Sequence, residues 1–169
     1  MFSLRALVIA LIVSISFAGK ITERFDFEIE NGIHVINNEG EYRMIAKDPF
    51  TWVILSFSTR EERCDTCIEF TQMYESLANQ FEDVYFAKFA VDKPGGMALG
   101  HRLESYETGF PSIRFINKEY APGEIGISIH TADSESIEQT AESIKNLLQE
   151  HELTNGGYMK KSADNQVNL

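Results

Sequence analysis

The chain contains only two cysteines, and their position restricts the possible folds more than any other feature of the sequence. Cys64 and Cys67 follow the apolar, β-forming run 51–58, which predicts a buried central strand. After the cysteines, apolar side chains recur every three or four residues, which predicts an amphipathic helix starting near Cys64. That face consists of Cys67, Phe70, Thr71, Tyr74, Leu77, Ala78 and Phe81. The pair is therefore expected where a strand passes into a helix.

A cysteine pair at such a junction favours thiol–disulfide exchange. The free backbone N–H groups and the dipole at a helix N-terminus stabilise a thiolate, which is the nucleophile of the exchange. We predict that Cys64 is the exposed, attacking thiol. Cys67 should face the core and act as the resolving thiol that releases a mixed disulfide, and the two cysteines should form a redox-active disulfide with each other.

Three other interpretations of the pair stay open. A zinc site needs two further ligands, and the histidines are scattered without ligand spacing. A purely structural disulfide would close too short a loop to constrain the unfolded chain much. Two unrelated core thiols are the third alternative, although an oxidising compartment would join such close neighbours. We expect neither a metal nor a cofactor. The histidines are His34, His101, His130 and His151.

Strands and helices alternate around this junction, which predicts a single α/β domain with a mixed central sheet and helices on both faces. The last two strands are expected to form a hairpin around Pro122-Gly123, and Asp133 or Ser134 should cap the final helix. The predicted strands cover 34–36, 51–58, 84–91, 112–116 and 125–129; the predicted helices cover 38–46, a segment starting near 64, a short segment within 97–106 and a segment whose buried stripe is Ile137, Ala141, Ile144 and Leu148.

A proline opens one of these strands some forty residues after the cysteine helix. Only the bond before a proline adopts the cis form at low cost, and we expect a cis bond between Phe110 and Pro111. Phe110 could then offer its backbone N–H and C=O to an extended substrate strand, while Pro111 packs beside the disulfide. Alone, a proline at a strand start is common in edge strands.

Both ends of the chain are predicted to lie outside the domain, which spans 19–153. Residues 1–18 have the basic Arg5, the apolar run 6–13 and small residues before Gly19, which is typical of a signal peptide. A signal anchor is the alternative, but the run is shorter than the roughly 20 residues of a spanning helix. We expect no later membrane span and a disordered tail over 154–169. These features predict a protein of the endoplasmic reticulum lumen or a secreted one.

The formal net charge of −11 argues against nucleic acid or an anionic membrane surface as a partner, because both attract a positive surface.

Several motifs resemble the lumenal thioredoxin-like domain of the oxidoreductase subunits of oligosaccharyltransferase, a group that includes the magnesium transporter and tumour suppressor candidate proteins. The resemblance covers about 31–150 and implies a thioredoxin-like fold. It also implies that Cys64 forms transient mixed disulfides with cysteine-containing polypeptides, which delays their folding and assists N-glycosylation, with oligosaccharyltransferase subunits as further partners. The motifs are 31–37 (NGIHVIN), 64–70 (CDTCIEF), 74–79 (YESLAN), 89–92 (FAVD) and 109–112 (GFPS).

Two features favour this group over ordinary protein disulfide isomerase domains. Arg63 and Asp65 replace the usual tryptophan and glycine around the first cysteine, and the loop 58–63 is longer than in thioredoxin. Members of the group continue into several membrane helices, and the sequence after Leu153 holds no such segment. A soluble relative, a free lumenal oxidoreductase and a truncated product therefore stay open.

Ser56 stands where thioredoxin and the isomerases place a buried acid beneath the resolving cysteine. A hydroxyl is a far weaker base, so we expect slow proton removal from Cys67 and a long-lived mixed disulfide. The sequence thus predicts a lumenal thiol–disulfide oxidoreductase that captures polypeptides. The alternatives are a general disulfide isomerase and a non-catalytic peptide-docking module.

Overall fold

The computed structural model describes residues 25–82, 84–117, 125–134, 136–154 and 157–160. In this part of the chain a six-stranded sheet has the order β1-β2-β4-β3-β5-β6, and a separate two-stranded sheet pairs β7 with β8. The strands are β1 (Glu28–Glu30), β2 (Ile33–Val35), β3 (Trp52–Phe57), β4 (Tyr85–Ala90), β5 (Ser112–Ile116), β6 (Ile127–His130), β7 (His151–Thr154) and β8 (Gly157–Lys160). The helices are α1 (Glu39–Lys47), α2 (Cys67–Ala78), α3 (Gly96–Arg102), α4 (Ser105–Thr108) and α5 (Ile137–Gln149).

Strand β3 lies in the middle of the sheet because its run of apolar side chains can be buried on both faces. It pairs parallel with β4 and antiparallel with β5. Val53 and Leu55 enter the core under α2 and α5, whereas Trp52 and Ile54 enter the core under α1 and α3. The predicted mixed sheet flanked by helices, forming one domain, is confirmed.

The helices differ from the predictions at the segment 97–106 and at the start of α5. The short helix expected within 97–106 is split into α3 and α4, because Glu104 between them adopts a left-handed φ of 54°. The cap of α5 is Ser136, whose hydroxyl accepts a hydrogen bond from the N–H of Gln139, so the expectation of Asp133 or Ser134 is wrong. Residues 132–133 form a turn instead. Asn38 caps α1 and accepts from the N–H of Glu41 at 3.0 Å, at the predicted start of that helix.

The predicted tail begins inside a β-hairpin, because β7 (His151–Thr154) pairs antiparallel with β8 (Gly157–Lys160). The sequence between these strands is Asn155-Gly156, a dipeptide that favours two-residue hairpin turns. The prediction of disorder therefore does not hold over 157–160. The predicted signal peptide, the Pro122-Gly123 turn and residues 161–169 lie outside the described residues. No helix within the described ranges has both the length and the apolar character to cross a bilayer.

Candidate active site

The two cysteines form a disulfide at the carboxyl end of β3, with their Cα atoms 5.4 Å apart. Helix α2 begins at Cys67, so the expectation that it starts near Cys64 is wrong. The reason is a turn ahead of the helix, in which the N–H of Cys64 donates to the carbonyl oxygens of Arg60 and Glu61, both at 3.2 Å. Cys64 therefore lies in the loop and Cys67 occupies the first helical turn.

The two sulfur-bearing residues differ slightly in exposure. Cys64 keeps 7% of its surface accessible and Cys67 keeps none. Describing Cys64 as exposed is too strong, although it is the more accessible of the pair. An incoming sulfur atom can reach the disulfide only from the Cys64 side, which is the geometry that an attacking first cysteine and a buried second cysteine require.

Each sulfur atom has a different polar neighbour. The Cys64 Sγ lies 3.5 Å from the carbonyl oxygen of Phe110 and 3.8 Å from the hydroxyl of Thr66. The Cys67 Sγ accepts a hydrogen bond from the N–H of Ser58 at 3.5 Å. A backbone donor favours the charged form of a thiol, so this contact stabilises Cys67 when it leaves as a thiolate.

The bond between Phe110 and Pro111 is cis, as predicted. It places the carbonyl of Phe110 beside Cys64, while Pro111 is buried. The preceding Gly109 has a φ of 76°, and a Cβ added there would lie 2.6 Å from the Cβ of Ala132. The N–H of Ala132 in turn donates to the carbonyl of Thr108 at 3.2 Å. The loop after β6 therefore supports the cis-proline loop from behind.

Ser56 is buried, and its hydroxyl is 2.6 Å from that of Ser112 on the neighbouring strand β5. The pair forms because Ser56 and Ser112 are opposite each other in the antiparallel register of β3 and β5. Ser112 directly follows the cis-proline, so this hydroxyl pair links the end of β3 to the loop that faces the disulfide. Ser56 stands at the position where thioredoxin and the isomerases are expected to carry a buried acid. This position thus holds a neutral hydroxyl that is hydrogen-bonded to the hydroxyl of Ser112.

Asp92, a carboxylate at the carboxyl end of β4, is a site residue that was not predicted from the sequence. Its side chain is only 4% exposed. It accepts hydrogen bonds from the N–H of Thr59 at 2.9 Å and from the Thr59 hydroxyl, and Arg60 Nε lies 4.0 Å away. Burial acts to raise the pKa of Asp92, but the Thr59 hydrogen bonds and the Arg60 charge together hold that pKa below its ordinary value. Asp92 therefore holds the loop 58–66 between β3 and α2, the cysteine loop, against the end of β4.

This contact has a simple cause in the topology of the sheet. Strands β3 and β4 are parallel neighbours, so their carboxyl ends lie at the same edge of the sheet and the loops that follow them meet there.

Several solved structures are similar to this chain. The first thioredoxin domain of mouse protein disulfide-isomerase A4 has a TM-score of 0.53 and 18% sequence identity, covering 74% of this chain and 81% of that one. Thioredoxin from Trypanosoma brucei brucei has a TM-score of 0.54 and 13% identity, covering 69% and 91%. Thioredoxin from Trichomonas vaginalis has a TM-score of 0.50 and 21% identity, covering 70% and 99%.

No family model matches the chain, and no curated protein matches it. The structural similarities show a thioredoxin-like fold, as predicted. Together with this fold, the disulfide between Cys64 and Cys67 supports a thiol–disulfide oxidoreductase.

Proposed function

We propose that this protein is a thiol–disulfide oxidoreductase of the endoplasmic reticulum lumen, or a secreted one, that forms transient mixed disulfides with cysteine-containing polypeptides. One observation carries the proposal: the Cys64 sulfur, the accessible end of the disulfide, lies 3.5 Å from the carbonyl of Phe110 in the cis-proline loop. A substrate strand that hydrogen-bonds to the backbone of Phe110 brings its own sulfur next to Cys64. The signal peptide expected at 1–18 supports the location.

The first step breaks one disulfide and forms another. A substrate thiolate attacks the Cys64 Sγ, the bond between Cys64 and Cys67 breaks, and its electron pair goes to Cys67. Cys67 leaves as a thiolate beside the N–H of Ser58 and takes a proton from solvent. A second substrate thiolate then attacks the substrate sulfur of the mixed disulfide and expels Cys64. The substrate loses two electrons and the cysteine pair gains them.

The alternative second step returns the substrate unchanged. Cys67 loses a proton, attacks Cys64 and releases the substrate thiol. In place of a buried carboxylate, the Ser56–Ser112 hydroxyl pair lies at the end of β3. Hydroxyls accept protons poorly at neutral pH, so Cys67 regains its thiolate form slowly and the mixed disulfide persists. This property suits prolonged capture of a polypeptide.

Prolonged capture would serve N-glycosylation, and we extend the proposal to a role beside oligosaccharyltransferase. The support is the motif resemblance over 31–150, together with Arg63 and Asp65 around the first cysteine and the long loop 58–63. Captured chains would then be glycoprotein precursors whose folding is delayed near their acceptor sites.

Trapping of covalent partners tests both levels of the proposal. The Cys67→Ala variant, expressed in cells that naturally make the protein, has a free Cys64 thiol that attacks disulfides already present in polypeptides. Because the variant lacks the thiol that resolves the resulting mixed disulfides, it should accumulate polypeptides bound to Cys64. Mass spectrometry after non-reducing purification should identify cysteine-containing chains, and glycoprotein precursors and transferase subunits would support the finer role. Recovery of cytosolic contaminants alone would contradict the role beside oligosaccharyltransferase.

The matched control carries Cys64→Ser in addition to Cys67→Ala. It should lose every disulfide-linked partner, and the single Cys64→Ser variant should lose the ability to capture a peptide thiol entirely. If both Cys64→Ser variants retain the same partners, the surface beside Cys64 and Phe110 is a non-catalytic docking site, and the oxidoreductase proposal is wrong.

A further inference from the structure

A cavity of about 470 Å³ lies between the cysteine loop and the turn after β4, and three of the residues that line it carry cationic side chains. Arg60 and Arg63 come from the cysteine loop, and Lys93 comes from the turn. Arg63 directly precedes Cys64, and the N–H of Cys64 is hydrogen-bonded to the carbonyl of Arg60. The cavity therefore adjoins the residue that receives the substrate sulfur.

The positive charge in this cavity is only partly neutralised. Asp92 also lines it, but its carboxylate is engaged by Thr59 and lies 4.0 Å from Arg60. Arg63 and Lys93 are exposed, and neither has a carboxylate partner among the residues that the structure describes. Two of the residues that line the cavity thus carry cations without an ion-pair partner among the described residues. This is notable in a chain whose formal net charge is −11.

The backbone around the cavity is closely held on both sides. The N–H of Lys93 donates to the carbonyl of Ala90 at 3.2 Å, and the N–H of Gly96 donates to the carbonyl of Lys93 at 2.9 Å. A Cβ added at Gly96 would lie 1.9 Å from the carbonyl oxygen of Ala90, so this turn packs directly on the end of β4. On the opposite side, Asp92 ties the cysteine loop to the same strand.

Apolar surface completes the wall. Met97 is 61% exposed and lines the cavity together with Pro94. A carboxylate on a short aliphatic stem fits such a combination, because the stem packs on the apolar wall while the charged end meets Arg63 and Lys93.

We propose that this cavity selects polypeptide substrates with an aspartate or glutamate close to the reactive cysteine. The inference rests on the proposed function and deepens it by naming the class of substrate that Cys64 captures. The cations act by binding the acidic side chain, and the disulfide exchange itself proceeds as described above.

Peptide pairs provide the direct test. Each pair contains one cysteine and differs only in carrying Glu or Gln at one of two positions on either side of it. The oxidised protein should form the mixed disulfide with the best-placed Glu peptide about three- to tenfold faster than with its Gln partner at low salt. Raising the salt to about 0.5 M should reduce the preference to less than about twofold, because exposed charges are then screened.

Lys93→Gln and Lys93→Glu separate recognition from thiol chemistry, because Lys93 lies outside the cysteine loop. Lys93→Gln should lower the Glu/Gln rate ratio, and Lys93→Glu should bring it to one or below. Lys145→Gln on α5 removes an exposed cation elsewhere and should leave the ratio unchanged.

The outcomes distinguish this inference from the proposed function. If every peptide is captured but the Glu/Gln ratio is one at all positions, or is insensitive to Lys93, the acidic-substrate inference is wrong and the oxidoreductase remains. If the protein captures no peptide of either kind, the proposed function itself is wrong.

Discussion

At the start of β3, Trp52 is fully buried and its Nε1 donates to the carboxylate of Asp48 at 2.8 Å. Beside it, the amide of Asn117 donates to the Thr51 hydroxyl at 2.7 Å. At the other end of the same strand, about 17 Å away at the usual rise per residue, the chain enters a loop with exposed charged side chains and reaches the accessible sulfur of Cys64.

The two ends of β3 therefore have different roles, one in stabilising the fold and the other in positioning the disulfide. The polar groups at the first end satisfy one another in the interior, so they stabilise the fold and have no capacity left for a ligand. The loops at the second end are fastened through Asp92 and Thr59, while Arg63 and the carbonyl of Phe110 face the site. Stability and chemistry are therefore expected to respond to different substitutions.

Trp52→Ala should destabilise the packing at the start of β3 without affecting the cysteine site. Of the substitutions considered, it should cause the largest loss of stability. Removing a fully buried indole leaves a cavity and takes one hydrogen bond from the Asp48 carboxylate, so the free energy of unfolding should fall by about 3–5 kcal/mol. Urea unfolding measures this loss. The folded fraction should still capture a peptide thiol at the normal rate, and Trp52→Phe, which keeps most of the volume, should cost less.

A capture rate of the folded Trp52→Ala protein that falls in parallel with its stability would show that the two ends are coupled. The separation of roles along β3 would then be wrong.

Gly109→Ala should damage the second end with a smaller loss of stability. The left-handed φ of 76° and the close approach to Ala132 both oppose a Cβ, so the cis-proline loop should shift away from Cys64. We expect about 1–3 kcal/mol of destabilisation and roughly tenfold slower capture of a peptide thiol. Adding Ala132→Gly removes the steric contact but not the backbone strain, so it should restore part of the rate. No rescue would mean that the loop after β6 does not support the site.

The regular parts of this molecule were predictable because they depend on local patterns. The buried run 51–58 predicts a central strand, and a proline opening a strand opposite the cysteine helix predicts the cis bond. Strand β1 was not predicted, because Glu28–Glu30 carries acidic side chains at both ends and has no strand-forming pattern. It becomes a strand only by pairing with β2 at the edge of the sheet.

The role of Asp92 depends on a contact between distant segments, whereas the start of α2 depends on a local turn. Because of the hydrogen bonds of the turn 60–64, the helix begins only at Cys67, and the apolar periodicity of the sequence does not indicate such a turn. Asp92 meets Thr59 only after β3 and β4 have paired. Residues that are close in the fold but 33 positions apart in sequence leave no local pattern.

Ser56→Asp should have the smallest effect of these substitutions, because it changes the rate of only one proton transfer. A carboxylate among the buried groups at the end of β3 is a far better proton acceptor than the Ser56 hydroxyl, so it should help Cys67 lose its proton and resolve a mixed disulfide. We expect release of a bound peptide thiol to become about three- to tenfold faster near neutral pH. Ser56→Asn introduces a side chain of nearly the same size as Asp that cannot accept the proton, so it should leave the release rate unchanged. Equal release rates for the wild type and both variants would show that proton removal does not limit the lifetime of the captured state, and the slow step would then have to lie in the approach of Cys67 to Cys64.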